Sequence, residues 1–349
     1  MTAIAPLPTL LVIPTGIGCV QGGFAGDALP AARLLAAACG CLITHPNVMN
    51  AASLYWSDRR IHYVEGWALD RFAAGALALA PRPHQRIGVL LDAAIEPELV
   101  LRHRQVIEAC RASLGLTIGP VLNSDGPLGV RLALGDSGSS WGTLESPAAL
   151  LRAGERLVAA GATAIAVVAR FPDDPASAAL AAYRAGAGVD ALAGAEAVIS
   201  HLLVRHLGIP CAHAPALQPL PPDPNLDPRA AAEELGHTFL PCVLVGLSRA
   251  PDLRPEPAVG HNLLHATDLG AVVAPAGALG GAAVLACGLR GVPLISVDNP
   301  CLLTVGAEAL GLSALSVGSY VEAAGLLTAL REGLDPAALV RSQRRQAIG

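Results

Sequence analysis

Residues 268–299, DLGAVVAPAGALGGAAVLACGLRGVPLISVDN, read as strand, glycine loop, helix and strand in immediate succession, and no other stretch constrains the fold as strongly. The apolar run 271–274 suits a strand buried on both faces of a parallel sheet. Gly277, Gly280 and Gly281 let the backbone turn tightly and approach a ligand with no Cβ atoms in the way. The helix behind them opens with unpaired N–H groups and a partial positive charge, which favours a phosphate or carboxylate. The segment therefore predicts an α/β protein and makes Gly277, Gly280 and Gly281 candidates for cofactor binding. The competing reading is that they are packing glycines of an ordinary strand-to-helix turn.

All 23 basic residues are Arg, with no Lys anywhere. A pyridoxal-phosphate Schiff base, a lysine aldolase, a Walker A lysine and a Ser-Lys amidase are thereby excluded, because each needs a side-chain amine. Anion recognition must rest on Arg forks, backbone N–H groups or a metal such as Mg²⁺, and the sequence names no cofactor. The formal net charge is −5. The one basic run, 341–345, sits at the far end, which argues against a nucleic-acid groove. The amino-terminal stretch lacks the charged start and long apolar core of a secretory signal, and no uninterrupted apolar run is long enough to span a bilayer. The eight cysteines are irregularly spaced and suit buried, reduced thiols. These features predict a cytoplasmic protein without a membrane or nucleic-acid partner; homo-oligomer formation stays open.

At 349 residues the chain exceeds one comfortable core. Its hydrophobic fraction is 53% and its aromatic fraction 3%, so the core is built from small aliphatic side chains, which lets helices lie close on a parallel sheet. Strands are expected at 9–14, 41–44, 61–64, 86–91, 164–169 and 210–213, with helices at 27–38, 69–79, 97–114, 147–160 and 195–207. Residues 123–145, rich in Gly, Ser and Asp, read as a hairpin or flap. The expected fold is mostly parallel, doubly wound α/β, with Rossmann-like halves at 1–122 and 146–349.

In such sheets ligands bind outside the carboxyl ends of the strands. Those ends carry Gly16, Gly18, Gly22 and Gly23, then His45, Asn47 and Glu65, then Arg170, Asp173, His213, Arg249 and Asn299. His45, which titrates near neutrality, is assigned proton work together with Glu65, and Asp173 is a third catalytic candidate. The glycines, Asn47, Arg170, His213, Arg249 and Asn299 are assigned to the substrate, with Arg170 and Arg249 facing one crevice. Many loop Asn and Asp are turn formers, so each assignment competes with a local structural role. Cys39, Cys41 and His45, and separately His261 and His265, have the residue types of metal ligands but not a complete ligand set, and no metal site is assigned.

The blocks IPTGIGCVQGGFAGDALPAARLLA, LITHPNVMNAASLYW, YVEGWALDRFAAG and GVDALAGAEAVISHLLVRHLGIPCAHAPAL resemble an uncharacterised family widespread in cyanobacteria and plastid-bearing lineages. The resemblance covers nearly the whole chain and implies no particular reaction. Residues 268–315 are also similar to the donor-nucleotide loop of two-Rossmann-domain glycosyltransferases and nucleotide-sugar epimerases. The acidic residue those enzymes carry after the glycines, to hold the ribose, is replaced here by the apolar run 282–286. This second resemblance implies anion recognition rather than nucleoside recognition. The expected function is an enzyme that binds a phosphorylated or carboxylated small molecule between two α/β halves, with transferase-like or epimerase-like chemistry. The alternatives are a metal-assisted hydrolase using Asp and His, and a non-catalytic metabolite-binding protein.

Overall fold

The computed structural model describes residues 5–52 and 55–339, so the basic run 341–345 lies outside the described residues. The chain opens with β1 (Leu7–Leu11), α1 (Leu29–Cys39), β2 (Gly40–Thr44), α2 (Pro46–Met49), β3 (Ile61–Tyr63) and α3 (Gly66–Ala73). Next come β4 (Leu77–Ala80), β5 (Ile87–Leu91), α4 (Pro97–Leu114), β6 (Ile118–Asn123) and the hairpin of β7 (Val130–Leu134) and β8 (Ser140–Leu144). The middle holds α5 (Pro147–Ala159), β9 (Ala164–Arg170), α6 (Ala178–Arg184), α7 (Ala193–Leu207), β10 (Cys211–Ala216), α8 (Pro228–Glu234), α9 (Leu240–Leu247) and β11 (Asp252–Pro255). The last stretch holds β12 (Ala271–Pro275), α10 (Ala282–Leu289), β13 (Leu294–Val297), β14 (Leu315–Val317), α11 (Tyr320–Arg331) and α12 (Pro336–Leu339).

Two parallel sheets organise these elements. One has six strands in the order β14-β13-β12-β1-β2-β3, and the other has four in the order β10-β9-β5-β6. The segment 268–299 forms β12, a turn, α10 and β13 as expected, and β12 pairs with β1 at the centre of the larger sheet. That sheet is thus assembled from the two ends of the chain, with the smaller sheet contributed from between them. The sheets do not correspond to segments 1–122 and 146–349, because β5 and β6 precede residue 124 yet pair in the sheet of β9 and β10.

Successive strand residues point to opposite faces, and burial follows that alternation. Leu11, Leu42, Val89, Ala166 and Val273 belong to one apolar cluster, while Leu10, Ile43, Leu90, Val167 and Val272 belong to another. Each cluster contains residues of both sheets, so apolar burial ties the sheets together. Helices cover both faces: α1 packs on α11, α3 on α10 and α5 on α7.

Two local expectations change. The helix expected over 69–79 stops at Ala73; Gly75, at φ 75°, turns the chain, and Leu77–Ala80 pairs antiparallel with β11. A short Leu/Ala run suits helix and strand equally, so a partner far along the chain decides. The strand expected over 9–14 runs instead over Leu7–Leu11, while α5 begins at Pro147 as expected.

Candidate functional site

A cavity of about 680 Å³ opens where loops from the carboxyl ends of both sheets meet. Its size is that of a small-molecule site, and its place is where parallel sheets bind ligands. The loops after β1 to β3 supply Thr15, His45, Asn47 and Glu65; the other sheet supplies Asp173 and His213; α7 adds Glu196, Ser200 and His201.

Two imidazoles in this wall are each paired with a carboxylate. Glu65, 5% exposed, sits at the start of α3, where its Oε2 accepts the N–H groups of Trp67 and Ala68 at 2.9 and 3.3 Å. Its Oε1 lies 3.0 Å from His201 Nε2. Burial works against the His201 imidazolium, but the hydrogen bond and charge of Glu65, helped by Asp70, raise its pKa above the usual value. On the neighbouring strand, His213 has Ser200 Oγ 2.5 Å from Nδ1 and Glu196 Oε2 3.5 Å from Nε2. Glu196 and Ser200 lie four apart on α7 and so share a helix face.

Acidic groups extend the wall. Asp190 accepts the Leu192 N–H at 2.8 Å, and burial, then the charge of Glu196, pushes its carboxyl up to about 7. Glu233 accepts the Tyr183 hydroxyl at 2.8 Å and the Ala25 N–H at 2.6 Å. Burial, then the charge of Asp190, raises its pKa well above the carboxylate range. In all, the wall carries seven carboxylates and four imidazoles but no arginine. An anionic substrate therefore meets no guanidinium there.

The glycines of the two loops do not line this cavity; N–H groups beside them are taken by the protein's own side chains. In the first loop, Asp27 accepts the Gly22 N–H and Asn299 Oδ1 accepts the Gln21 N–H, the latter at 2.9 Å. Asp27 is pushed up to about 6 by burial. Gly16, Gly18 and Gly22 have φ of 69°, 62° and 90°. A Cβ on Gly23 would lie 2.2 Å from the Cys19 carbonyl oxygen. Backbone conformation and packing require these glycines. In the second loop, a Cβ on Gly277 would lie 2.4 Å from the Leu303 carbonyl oxygen, while Gly281 has nothing within 4 Å. The start of α10 already holds an anion, since Asp70 Oδ1 accepts the Ala283 N–H at 3.0 Å.

The arginine assignments change for a similar reason. Arg170 is forked onto Glu96 with Nε–Oε2 2.9 Å and Nη2–Oε1 2.8 Å, and its Nη2 lies 2.6 Å from Asp173 Oδ2. Its Nη1 donates to the Phe171 carbonyl oxygen, so the guanidinium braces its own loop. Arg249 donates to Ser57 Oγ at 3.0 Å and lines a separate shallow cleft. The two do not face one crevice. Asn299 is 3% exposed and donates to the Gln21 carbonyl and the Tyr320 hydroxyl at 2.9 and 3.0 Å, which staples the first loop outside the cavity.

His45 does line the cavity, but not as a group titrating near neutrality. Burial lowers its pKa to about 4, and its Nε2 accepts the Ile13 N–H at 3.2 Å. Asn47 also lines the wall, with its amide donating to the Gly22 carbonyl at 3.1 Å. His265 Nδ1 sits 2.6 Å from Glu256 Oε1 in a hydrogen bond, and Cys39 Sγ donates to the Cys41 carbonyl oxygen at 3.2 Å. Among the described residues no three His, Cys, Asp or Glu side chains converge as metal ligands.

Sequence reasoning missed Glu196, Ser200 and His201, together with Asp190 and Glu233. A signal was there: three polar residues interrupt the otherwise aliphatic helix AEAVISHLLV, two of them at the i, i+4 spacing of one face. The fold and this wall define an α/β protein with a cavity at the carboxyl ends of two parallel sheets. The chain belongs to the family described as "Protein of unknown function (DUF3326)", which matches residues 8–340. It is similar to a Synechococcus protein described as an uncharacterised lipoprotein, 55% identical over 340 residues and covering 97% of this chain and 95% of that protein. No solved structure matches the chain. Membership of an uncharacterised family with a cyanobacterial relative is the outcome the sequence blocks implied.

Proposed function

We propose that the cavity is the active site of an acid–base enzyme of the isomerase or epimerase type, acting on a small molecule held between the two sheets. The observation that carries this reading is the occurrence, in one cavity, of two imidazoles each paired with a carboxylate. Glu65, pinned by the start of α3, keeps His201 protonated to higher pH and suits it to deliver a proton. His213, oriented by Ser200 and Glu196, is the partner that removes one. Asp173 is a wall carboxylate already engaged by Arg170, which leaves Glu65, His201 and His213 with the proton work. The strand order of the larger sheet runs outward from β1 in both directions, and a change of direction of this kind in a parallel sheet supports ligand binding at this edge.

A second reading is favoured by the Ser200–His213–Glu196 contact, which has the composition of an acyl-transfer triad. It is the weaker one, because Ser200 sits mid-helix on α7, where neighbouring N–H groups are consumed by the helix and supply no oxyanion hole.

The test begins with native mass spectrometry of the purified protein to identify the molecule it retains. That molecule is then incubated with protein in D₂O. Wild-type protein should exchange a carbon-bound hydrogen, His201→Gln and His213→Gln should retain the molecule without exchange, and Ser200→Ala should keep measurable exchange. Undiminished exchange in both histidine variants would remove the acid–base assignment, whereas a covalent adduct on Ser200 would establish the triad.

For location, the reading stays with a reducing compartment. All eight cysteines are free thiols, seven of them buried, and among the described residues no helix is long and apolar enough to cross a membrane. The relative's description as a lipoprotein does not transfer to Cys19. Processing that made this buried residue a lipid-bearing terminus would remove β1, which pairs with both β2 and β12.

A further inference from the structure

His45 occupies a position in the wall that the two histidine–carboxylate pairs do not explain. It follows β2 directly, is 9% exposed, lines the cavity and precedes Pro46 at the start of α2. A backbone N–H can only donate, so the Ile13 N–H at 3.2 Å requires a lone pair on Nε2. In the neutral ring the single proton is then on Nδ1. Among the described residues no side chain or backbone group takes that proton. Nδ1 is not one of the side-chain nitrogens closed off without a partner, so it is accessible from the cavity that His45 lines, where an oxygen of a bound molecule can accept its proton.

We infer that His45 donates through Nδ1–H to an uncharged oxygen, a carbonyl or hydroxyl, of the molecule the cavity takes. The inference deepens the acid–base reading. It adds a fixed hydrogen-bond donor, set apart from His201 and His213, that polarises a carbonyl while a neighbouring pair moves the proton beside it. The wall fits an uncharged oxygen better than a phosphate: no arginine lines it, burial holds the Asp190 and Glu233 carboxyls toward the neutral form, and a neutral N–H offers no ion pair. Burial, which lowers the pKa of this ring to about 4, keeps it a donor in which the proton stays on Nδ1. A charged imidazolium would instead lose its bond from Ile13.

The test uses ¹⁵N-histidine-labelled protein at pH 7, with dimethyl sulfoxide as a neutral oxygen acceptor and inorganic phosphate as the anionic probe. His45 is assigned by the signal lost in His45→Gln, or, should that variant not fold, by coupling of Nε2 to the Ile13 amide. The expected result is a protonated Nδ1 and unprotonated Nε2, with the Nδ1–H proton moving saturably on addition of dimethyl sulfoxide and not of phosphate. An unprotonated Nδ1, an Nδ1–H signal unmoved by dimethyl sulfoxide, or any response to phosphate would overturn the inference. The readout concerns His45 alone, so its failure is distinguishable from failure of the acid–base reading, which is judged on His201 and His213.

Discussion

Replacing Asp190 by Asn should make the protein more stable at alkaline pH, although a charged residue is removed from the cavity wall. The Asp190 carboxyl is held at about 7 against a reference of 3.8 by burial and by the charge of Glu196. A folded pKa raised above the unfolded one contributes stability that is complete below about pH 4 and is lost as pH rises through about 7. At 1.36 kcal/mol per unit, the full shift is worth about 4 kcal/mol, of which about 3 kcal/mol is lost between pH 5 and pH 8. An amide keeps the oxygen that accepts the Leu192 N–H at 2.8 Å but cannot ionise. Urea unfolding followed by circular dichroism from pH 4 to pH 8 should give nearly coincident stabilities at pH 4, with the Asp190→Asn variant ahead by about 4 kcal/mol at pH 8. Asp27 shares the sign of this dependence and is present in both proteins, while Glu233 loses the repulsion of the Asp190 charge in the variant, which adds to the gain at high pH in the same direction. Parallel stability curves across the whole range would refute the buried, repelled carboxyl.

Three further outcomes follow from the contacts. Glu65→Gln should lower the His201 pKa, read by histidine NMR titration, and should cost about 1 kcal/mol through weaker capping of α3; an unmoved His201 titration would separate the pair. Arg170→Lys should lower the melting temperature by the equivalent of about 1–3 kcal/mol, because the fork to Glu96 is lost, while binding of the retained molecule stays at the wild-type level. Gly281→Val should unfold within about 1 kcal/mol of wild type, whereas Gly23→Ala should be severely destabilised because its Cβ would lie 2.2 Å from the Cys19 carbonyl oxygen; near-neutral behaviour of both would contradict the packing account of the first loop.

The sequence by itself determined the class of fold and the edge of the sheet to inspect. Short continuous aliphatic runs, glycine turns and small helix residues specify buried parallel strands under helices, and the segment 268–299 folded as strand, turn, helix and strand. Glu65, His45, Asn47, Asp173 and His213 were legible as candidates because polar residues at strand ends stand out against apolar runs, and all five line the cavity. What they do there was not legible. The pairing of β1 with β12 was decided by shared apolar layers rather than by local pattern, and it placed the two ends of the chain in one sheet. Glu196, Ser200 and His201 entered the wall only once α7 packed beside β10. At the first glycine loop and at the start of α10, the N–H groups of Gly22 and Ala283 donate to Asp27 and Asp70. Protonation was likewise a tertiary matter, because burial moves a carboxyl up and an imidazole down by amounts the residue type does not reveal. An N–H group seeking a carboxylate looks the same in a sequence whether its partner is a ligand or, as for Ala283 and Asp70, a side chain 213 residues away, and only packing distinguishes the two.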